Sequence, residues 1–218
     1  MIITLSGKAR SGKDTCADIL VNKYNFEKFS LAQPIRELAS KVFDIPLDTF
    51  TSDELKEKNF THPIILDEAY LGHIIDIVEN DWGFNVDEVA KVGMMKQLGA
   101  EFIHPRRILQ TVGTEVIRNN VDKDIFLKLA DKRIGISNKN IVIVDVRFSN
   151  EREWFKKQGA VLCLIKRPEL TSKDSHTSEN DLGTDEDYGV IMTNDESLNR
   201  FRLDVATWIS HKLKQVSY

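Results

Sequence analysis

Apolar residues fall into two textures along this chain. Short aliphatic runs, some alternating with polar residues and some unbroken, predict strands at "IITL" (2–5), "FEKFSLA" (26–32), "NIVIVD" (140–145), "AVLCLI" (160–165) and "YGVIMT" (188–193). Between them apolar positions recur every three to four residues, which predicts helices. One covers 14–24, with Ala17, Leu20 and Tyr24 along one side. The next starts at Pro34, which suits a first turn, and repeats through Ile35, Leu38, Ala39, Val42 and Phe43. Others cover 106–120 behind Pro105, 123–134, 150–158 with Gly159 as a stop signal, and 196–214. Unbroken apolar runs such as 141–144 fit strands covered on both faces. Five strands alternating with helices predict an α/β fold: a parallel sheet between two helical layers.

From 44 to 99 the texture changes to acidic, aromatic and turn-rich, with "DIPLDTFTSDELKEKNFTHP" followed by a helical "LDEAYLGHIIDIVENDWG". Its roughly 55 residues are few for a core of their own. It is expected to be an insertion, on the substrate side, in a single domain whose core is 1–43 and 100–218, with 167–187 as a further loop.

Composition narrows the function classes. Among 218 residues, 41% hydrophobic and 29% charged residues are ordinary for a globular protein with a sizeable core. Thirty basic against 34 acidic residues give a net charge of −4, so no overall basic field recruits nucleic acid. The two cysteines, Cys16 and Cys163, are not in a metal-type spacing and fit a reduced intracellular setting. No leader-like start and no apolar run near the roughly 18 residues of a membrane span are seen, so a soluble cytoplasmic protein is expected.

The candidate chemistry begins at "GKARSGKDT" (7–15), between the first strand and the first helix. It fits G-x-x-x-x-G-K-[ST] except that Asp14 replaces the hydroxyl residue, with Thr15 one place later. Such a loop presents backbone N–H groups and the positive end of a helix to phosphate. Gly7 and Gly12 let the backbone approach the anion, and Lys13 reaches it. A carboxylate beside phosphate needs a metal or a base between them. Asp14 therefore implies Mg²⁺, bound directly or through water, or pairing with Lys or Arg. An ordinary strand–helix turn with an acidic first-turn residue is the plain alternative; both glycines, Lys13 and the strand context weigh against it. Asp145, ending an apolar strand, is a Walker-B-like candidate for Mg²⁺. Arginines at 10, 36, 106, 107, 118, 147 and 167 gather in the remaining loops and helix starts, where guanidinium groups bind phosphate bidentately.

Several segments taken together resemble the phage-type deoxynucleoside monophosphate kinases: "LSGKARSGKDTCADIL", "FSLAQPIRELA", "RRILQTVGTEVIRNN", "VIVDVRFSNE", "DSHTSE" and "TNDESL". They lie in order and cover roughly half of the chain, while 44–99 matches poorly. The resemblance implies a P-loop kinase fold and transfer of a phosphoryl group from ATP to a deoxynucleoside 5′-monophosphate with Mg²⁺. It implies Ser11, Gly12, Lys13, Asp14, Thr15, Arg167 and Asn194 on ATP. Arg10, Arg36, Arg107, Gln110, Gly113, Thr114, Phe126, Arg147 and Glu151 are implied on the monophosphate. Lys13, Arg147 and Asp145 are implied as the catalytic groups, and Asp14, Thr15 and Asp145 as those near the metal. Asp174, His176 and Glu179 fall on its lid, with Lys56 and Lys58 as candidates in the insertion. Where the family commonly has Trp after the "NN-D" turn, this chain has Ile125-Phe126. No nucleic acid or membrane partner is implied; a homodimer is suggested, acting in the host cytoplasm if phage-encoded. Two alternatives stay open: another P-loop small-molecule kinase, of the dephospho-coenzyme A type, and a nucleotide-binding regulator without a second substrate.

Overall fold

Strand β1 (Ile2–Ser6) runs through the middle of a five-stranded parallel sheet because both of its faces are apolar or small and both are covered. The computed structural model describes residues 1–8, 10–52, 54–168 and 182–216. The chain divides into two units, Met1–Leu31 with Ala130–Tyr218, and Ala32–Leu129.

In the first unit the sheet order is β2–β5–β1–β6–β7, where β2 is Glu27–Phe29, β5 Ile141–Ile143, β6 Val161–Lys166 and β7 Val190–Thr193. Thr4 pairs with Ile143 on one side and Leu162 on the other. Side chains alternate as the strand period demands. Ile3, Leu5, Val142, Cys163, Ile165 and Met192 share one buried cluster with Cys16, Ala17 and Leu20 of helix α1 (Lys13–Tyr24). Phe201, Val205 and Ile209 of helix α9 (Leu198–Val216) complete it. Leu162 and Leu164 point the other way and pack with Tyr188, and helix α8 (Ser149–Lys157) contacts β6. Gly159 follows α8 at a φ of 72°, as its stop signal predicts. The expected five-stranded parallel sheet with helical layers is what forms.

Strand β2 is shorter than its apolar pattern. Its alternation runs on to Ala32, but pairing ends at Phe29 because the next two residues are held by Asp145 instead of by a strand.

The second unit is mostly helical and wider than the 44–99 stretch. It holds α2 (Gln33–Phe43), α3 (Leu47–Thr51), α4 (Glu68–Asp76), α5 (Glu88–Met95), α6 (Pro105–Gln110) and the start of α7 (Ile125–Gly135). Side chains cap three of these starts. Asp67 accepts from Tyr70 N at 2.9 Å, Asp87 from Ala90 N at 2.8 Å, and His104 Nδ1 from Arg107 N at 3.1 Å. A short antiparallel ribbon pairs β3 (Ile64–Ile65) with β4 (Glu101–Phe102). The unit's width has a packing cause. Ile35, Leu38, Ala39 and Val42 of α2 form one core with Leu71, Ile74 and Val78 from the stretch and with Ile108, Val112, Val116 and Ile125 after it. The apolar side of α2 is therefore buried with the stretch, and the ribbon pairs Ile64–Ile65 inside the stretch with Glu101–Phe102 just past its end. Among the described residues no helix is long and apolar enough to cross a membrane.

Candidate functional site

The candidate phosphate site of the first unit is built at the C-terminal edge of its sheet, where such sheets place ligands. β1 ends at Ser6 and turns into the glycine-rich loop. Gly12 precedes α1 with φ 112° and ψ 9°, a conformation few residues other than glycine adopt. There is also no room for more: a Cβ at Gly12 would lie 2.7 Å from Asn194 Nδ2 and 3.1 Å from the Phe201 ring. Asn194, just past β7, is buried and donates to the Ser11 carbonyl at 2.9 Å, while its own N–H bonds Lys166 O at 2.7 Å. Asn194 thus braces the loop's backbone. The Lys13 ammonium donates at 2.7 Å to the carbonyls of both Gly7 and Lys8, so the cation lies over the loop's own start. Thr15, two residues on in the first turn of α1, is half-buried.

Asp14 is exposed and forms an ion pair with Lys28 of β2 at 3.1 Å, so a basic partner, one of the two its place in the motif calls for, is present. Arg10 is exposed in the loop with φ 61°, and its carbonyl accepts a long bond, 3.5 Å, from Arg167.

Asp145 lies just past β5, beside β1. One carboxylate oxygen accepts the Ser30 hydroxyl at 2.5 Å and the other the Leu31 N–H at 2.7 Å. The next three residues, Val146 to Phe148, are held from several sides. Ser6 Oγ donates to Val146 O at 2.9 Å, which ties the root of the phosphate loop to the segment carrying Arg147. Glu151 Oε2 accepts from Arg147 N at 2.8 Å and Phe148 N at 3.1 Å, in the manner of an N3 carboxylate at a helix start. Burial pushes the Tyr188 phenol up from its ordinary pKa, against the opposing pull of Ser6 and Arg152.

Among the described residues no three His, Cys, Asp or Glu side chains are grouped to hold a metal ion by themselves. The donors present are of another kind: the hard oxygens of Asp14, Thr15 and Asp145 around a phosphate loop. They fit Mg²⁺, which takes one or two carboxylates and completes its shell with phosphate oxygens and water.

The second unit collects the other expected residues. Arg36 is half-buried on α2. Arg107 and Gln110 belong to α6, and Gly113 and Thr114 to the π-helical stretch Thr111–Arg118 that continues it. Such stretches recur at functional sites. Arg107 reaches Glu115 at 3.5 Å, and Arg106 is paired with Glu57. Gly113 is buried where this stretch meets Ile35 and Phe126. Phe126 stands edge-on to Trp82 with ring centroids 6.1 Å apart. Asp174, His176 and Glu179 lie outside the described residues.

Pattern reasoning overlooked Ser30, Arg152 and Trp82. A lone Ser or Trp carries no motif, and Arg152 is an ordinary helix residue by spacing. The only available signal was the acidic residue preceding it in "SNER".

The chain is 28% identical over 228 residues to a deoxynucleotide monophosphate kinase of Enterobacteria phage T4, covering 90% of this chain and 93% of the relative. It is 25% identical over 246 residues to a deoxynucleoside-5′-monophosphate kinase of Escherichia phage T5, covering 98% of each. A solved dephospho-CoA kinase from Campylobacter jejuni superposes with a TM-score of 0.48 at 15% identity, over 98% of both chains. The model of the family described as deoxynucleotide monophosphate kinase matches residues 1–63 and 73–205, so this chain belongs to the deoxynucleotide monophosphate kinase family.

Proposed function

We propose that this chain phosphorylates deoxynucleoside 5′-monophosphates, taking the phosphoryl group from ATP and releasing ADP and a deoxynucleoside diphosphate. The observation that carries the assignment is the pairing of two features in one chain of this family. One is a braced phosphate loop ending in Lys13. The other is a separate set of arginines, Arg36 and Arg107 among them, on elements that a donor-only site does not need. A nucleotide-binding regulator would have no use for the second set.

Phosphoryl transfer asks a protein for position and positive charge more than for covalent chemistry. The loop's N–H groups and Lys13 would hold the ATP phosphates, with Ser11, Gly12, Thr15, Arg167 and Asn194 around them. Asn194 supports this position through Ser11, as the geometry of its carboxamide favours. Asp14, Thr15 and Asp145 would hold Mg²⁺ directly or through water, and the ion when bound offsets charge on the phosphates. Arg147 would meet the transferring group. Arg10, Arg36, Arg107, Gln110, Gly113 and Thr114 would take the monophosphate, its charge on the guanidinium groups and its base edge on Gln110. Phe126 would supply an aromatic face for the base, with Trp82 fixing that ring. Glu151 would act on the same substrate through the Arg147 backbone. A phosphate oxygen is already a competent nucleophile, so no general base is required. The chain would act as a homodimer in the cytoplasm.

The test is ADP release measured across the deoxy- and ribonucleoside monophosphates. Turnover with at least one deoxynucleoside monophosphate is expected, with Lys13→Ala and Arg147→Ala each losing most of it. ADP release without any monophosphate dependence, or near-wild-type rates in either variant, would contradict the assignment.

A further inference from the structure

Glu151 and Arg152 are the buried charged side chains among the described residues, at 7% and 6% exposure, and they are neighbours in sequence. Residues of these types are almost never fully buried unless paired. Both sit in the first turns of α8, and both reach back over the segment that precedes it. Arg152 donates to the Arg147 carbonyl at 2.6 Å, while Glu151 accepts the N–H groups of Arg147 and Phe148. With Ser6 on the Val146 carbonyl, four successive main-chain groups around Arg147 are gripped by side chains. The far side of the Arg152 guanidinium lies 5.9 Å from the centre of the Tyr188 ring and 4.0 Å from Asp187. Tyr188 is itself anchored by a 2.7 Å bond to Leu182 O.

A buried ion is a costly way to stabilise a turn, since apolar residues of similar volume often do as well. What a guanidinium adds is a charged, rigid fork that fixes a carbonyl's position. We propose that Arg152 is the positioning residue of Arg147: it fixes the Arg147 peptide so that the Arg147 side chain is aimed at the transferring phosphoryl group. The catalytic half of this statement rests on the kinase assignment above. Arg152 touches no substrate and acts only through its neighbour.

A double-mutant cycle separates action through Arg147 from any other role of Arg152. Arg152→Gln in the wild-type background is expected to lower kcat by about 10–100-fold, the scale of a misplacement of about 1 Å. In an Arg147→Ala background the same change should cost less than about threefold. Arg152→Lys, which keeps a cation and a donor, should recover part of the loss. Equal losses in the two backgrounds would overturn the proposal, as would an Arg152→Gln enzyme with wild-type kcat. A second readout needs no substrate: hydrogen exchange at the Arg147 and Phe148 amides should speed up in Arg152→Gln while the β1 and β6 amides stay protected. Unchanged exchange at those two amides would equally sink it. If Arg152→Gln does not fold, Arg152→Lys carries both measurements, with a smaller kcat loss, still abolished by Arg147→Ala, and faster exchange at the same amides. Wild-type protein inert toward every monophosphate would defeat the kinase assignment and leave the exchange result to decide the positioning role.

Discussion

Asn194 and Ser11 are joined by a 2.9 Å hydrogen bond from the Asn194 carboxamide to the Ser11 carbonyl, across 183 residues of sequence. The last strand of the sheet thereby sets the backbone of the first loop. Both residues are buried, so water cannot replace the bond. Asn194→Ala should raise KM for ATP about 3–10-fold, the loss of one ordinary hydrogen bond. Asn194→Asp should be worse, because it turns a buried carboxylate toward a carbonyl; about 1–3 kcal/mol of stability should go as well. Steady-state kinetics and a denaturant titration of both variants check this. If the Asn194→Asp variant proved as stable as the Asn194→Ala variant, the side chain would have to turn away from the loop.

Asp145 has two separable duties. It anchors Ser30 and Leu31, and it carries a charge beside the phosphate loop. Asp145→Asn keeps an acceptor for the Leu31 N–H and offers the Ser30 hydroxyl a donor, so the fold should survive within about 1 kcal/mol. If the charge serves the chemistry, turnover should fall by about 100-fold or more, about 2.7 kcal/mol of barrier. Asp145→Ala should lose both turnover and stability. Thermal unfolding beside kcat for the two variants separates the duties; full activity in Asp145→Asn would leave Asp145 a structural anchor alone.

How far the sequence carries differs between the two units, and the difference has physical causes. The sheet was legible because burial on both faces writes itself as apolar runs, as at Ile141–Ile143 and Val161–Lys166. The phosphate loop was legible because its backbone geometry demands glycine at Gly7 and Gly12. The ribbon of Ile64–Ile65 with Glu101–Phe102 was not: two residues per strand, far apart in sequence, carry no period. The short helix Glu88–Met95 went unread because Val89, Val92 and Met95 are exposed, which blurs its apolar stripe. Side-chain direction was the least legible. The resemblance implies Glu151 on the substrate, and no sequence pattern shows that its Oε2 also accepts the N–H groups of Arg147 and Phe148. Only the path of the loop over the helix start decides that.

Cys16 and Cys163 are both free and buried in the same cluster. Burial pushes the Cys16 thiol up to about 12, and burial followed by the nearness of Cys16 pushes Cys163 well above its ordinary value. At about pH 8.5 the Cys16 thiolate fraction should be roughly a thousandfold below that of a free thiol. The native protein should therefore react very slowly with a disulfide reagent, while denaturant should release two equivalents, the full cysteine count. The raised values also mean that the native state holds these protons longer than the unfolded chain, so stability should decline as pH rises above about 9. Two thiols reacting at free-thiol rates without denaturant would contradict the packing.

Asp122 controls the start of α7, the helix that bears Phe126. Its side chain accepts the Asp124 N–H at 2.8 Å, its carbonyl accepts the Ile125 N–H at 3.1 Å, and Lys128 closes on it from the next turn. Partial burial alone pushes the Asp122 carboxyl up, but the Lys128 ammonium and the Asp124 N–H outweigh it and hold the group below its ordinary value. Lys128 is moved the other way, upward, by the same contact. A depressed carboxyl stabilises the fold above its unfolded-state pKa and loses that effect as pH falls through the folded-state value. A raised lysine stabilises below its unfolded-state pKa and loses the effect as pH climbs through the folded one. The pair should therefore act fully from about pH 5 to about pH 9. Asp122→Asn keeps the acceptor for Asp124 and removes the charge. Its Tm should lie below that of the wild type by a constant margin across that window, and the two should converge in acid. A margin that persists unchanged at about pH 2, where ordinary carboxylates are protonated, would assign the effect to the hydrogen bonds and not to the ion pair.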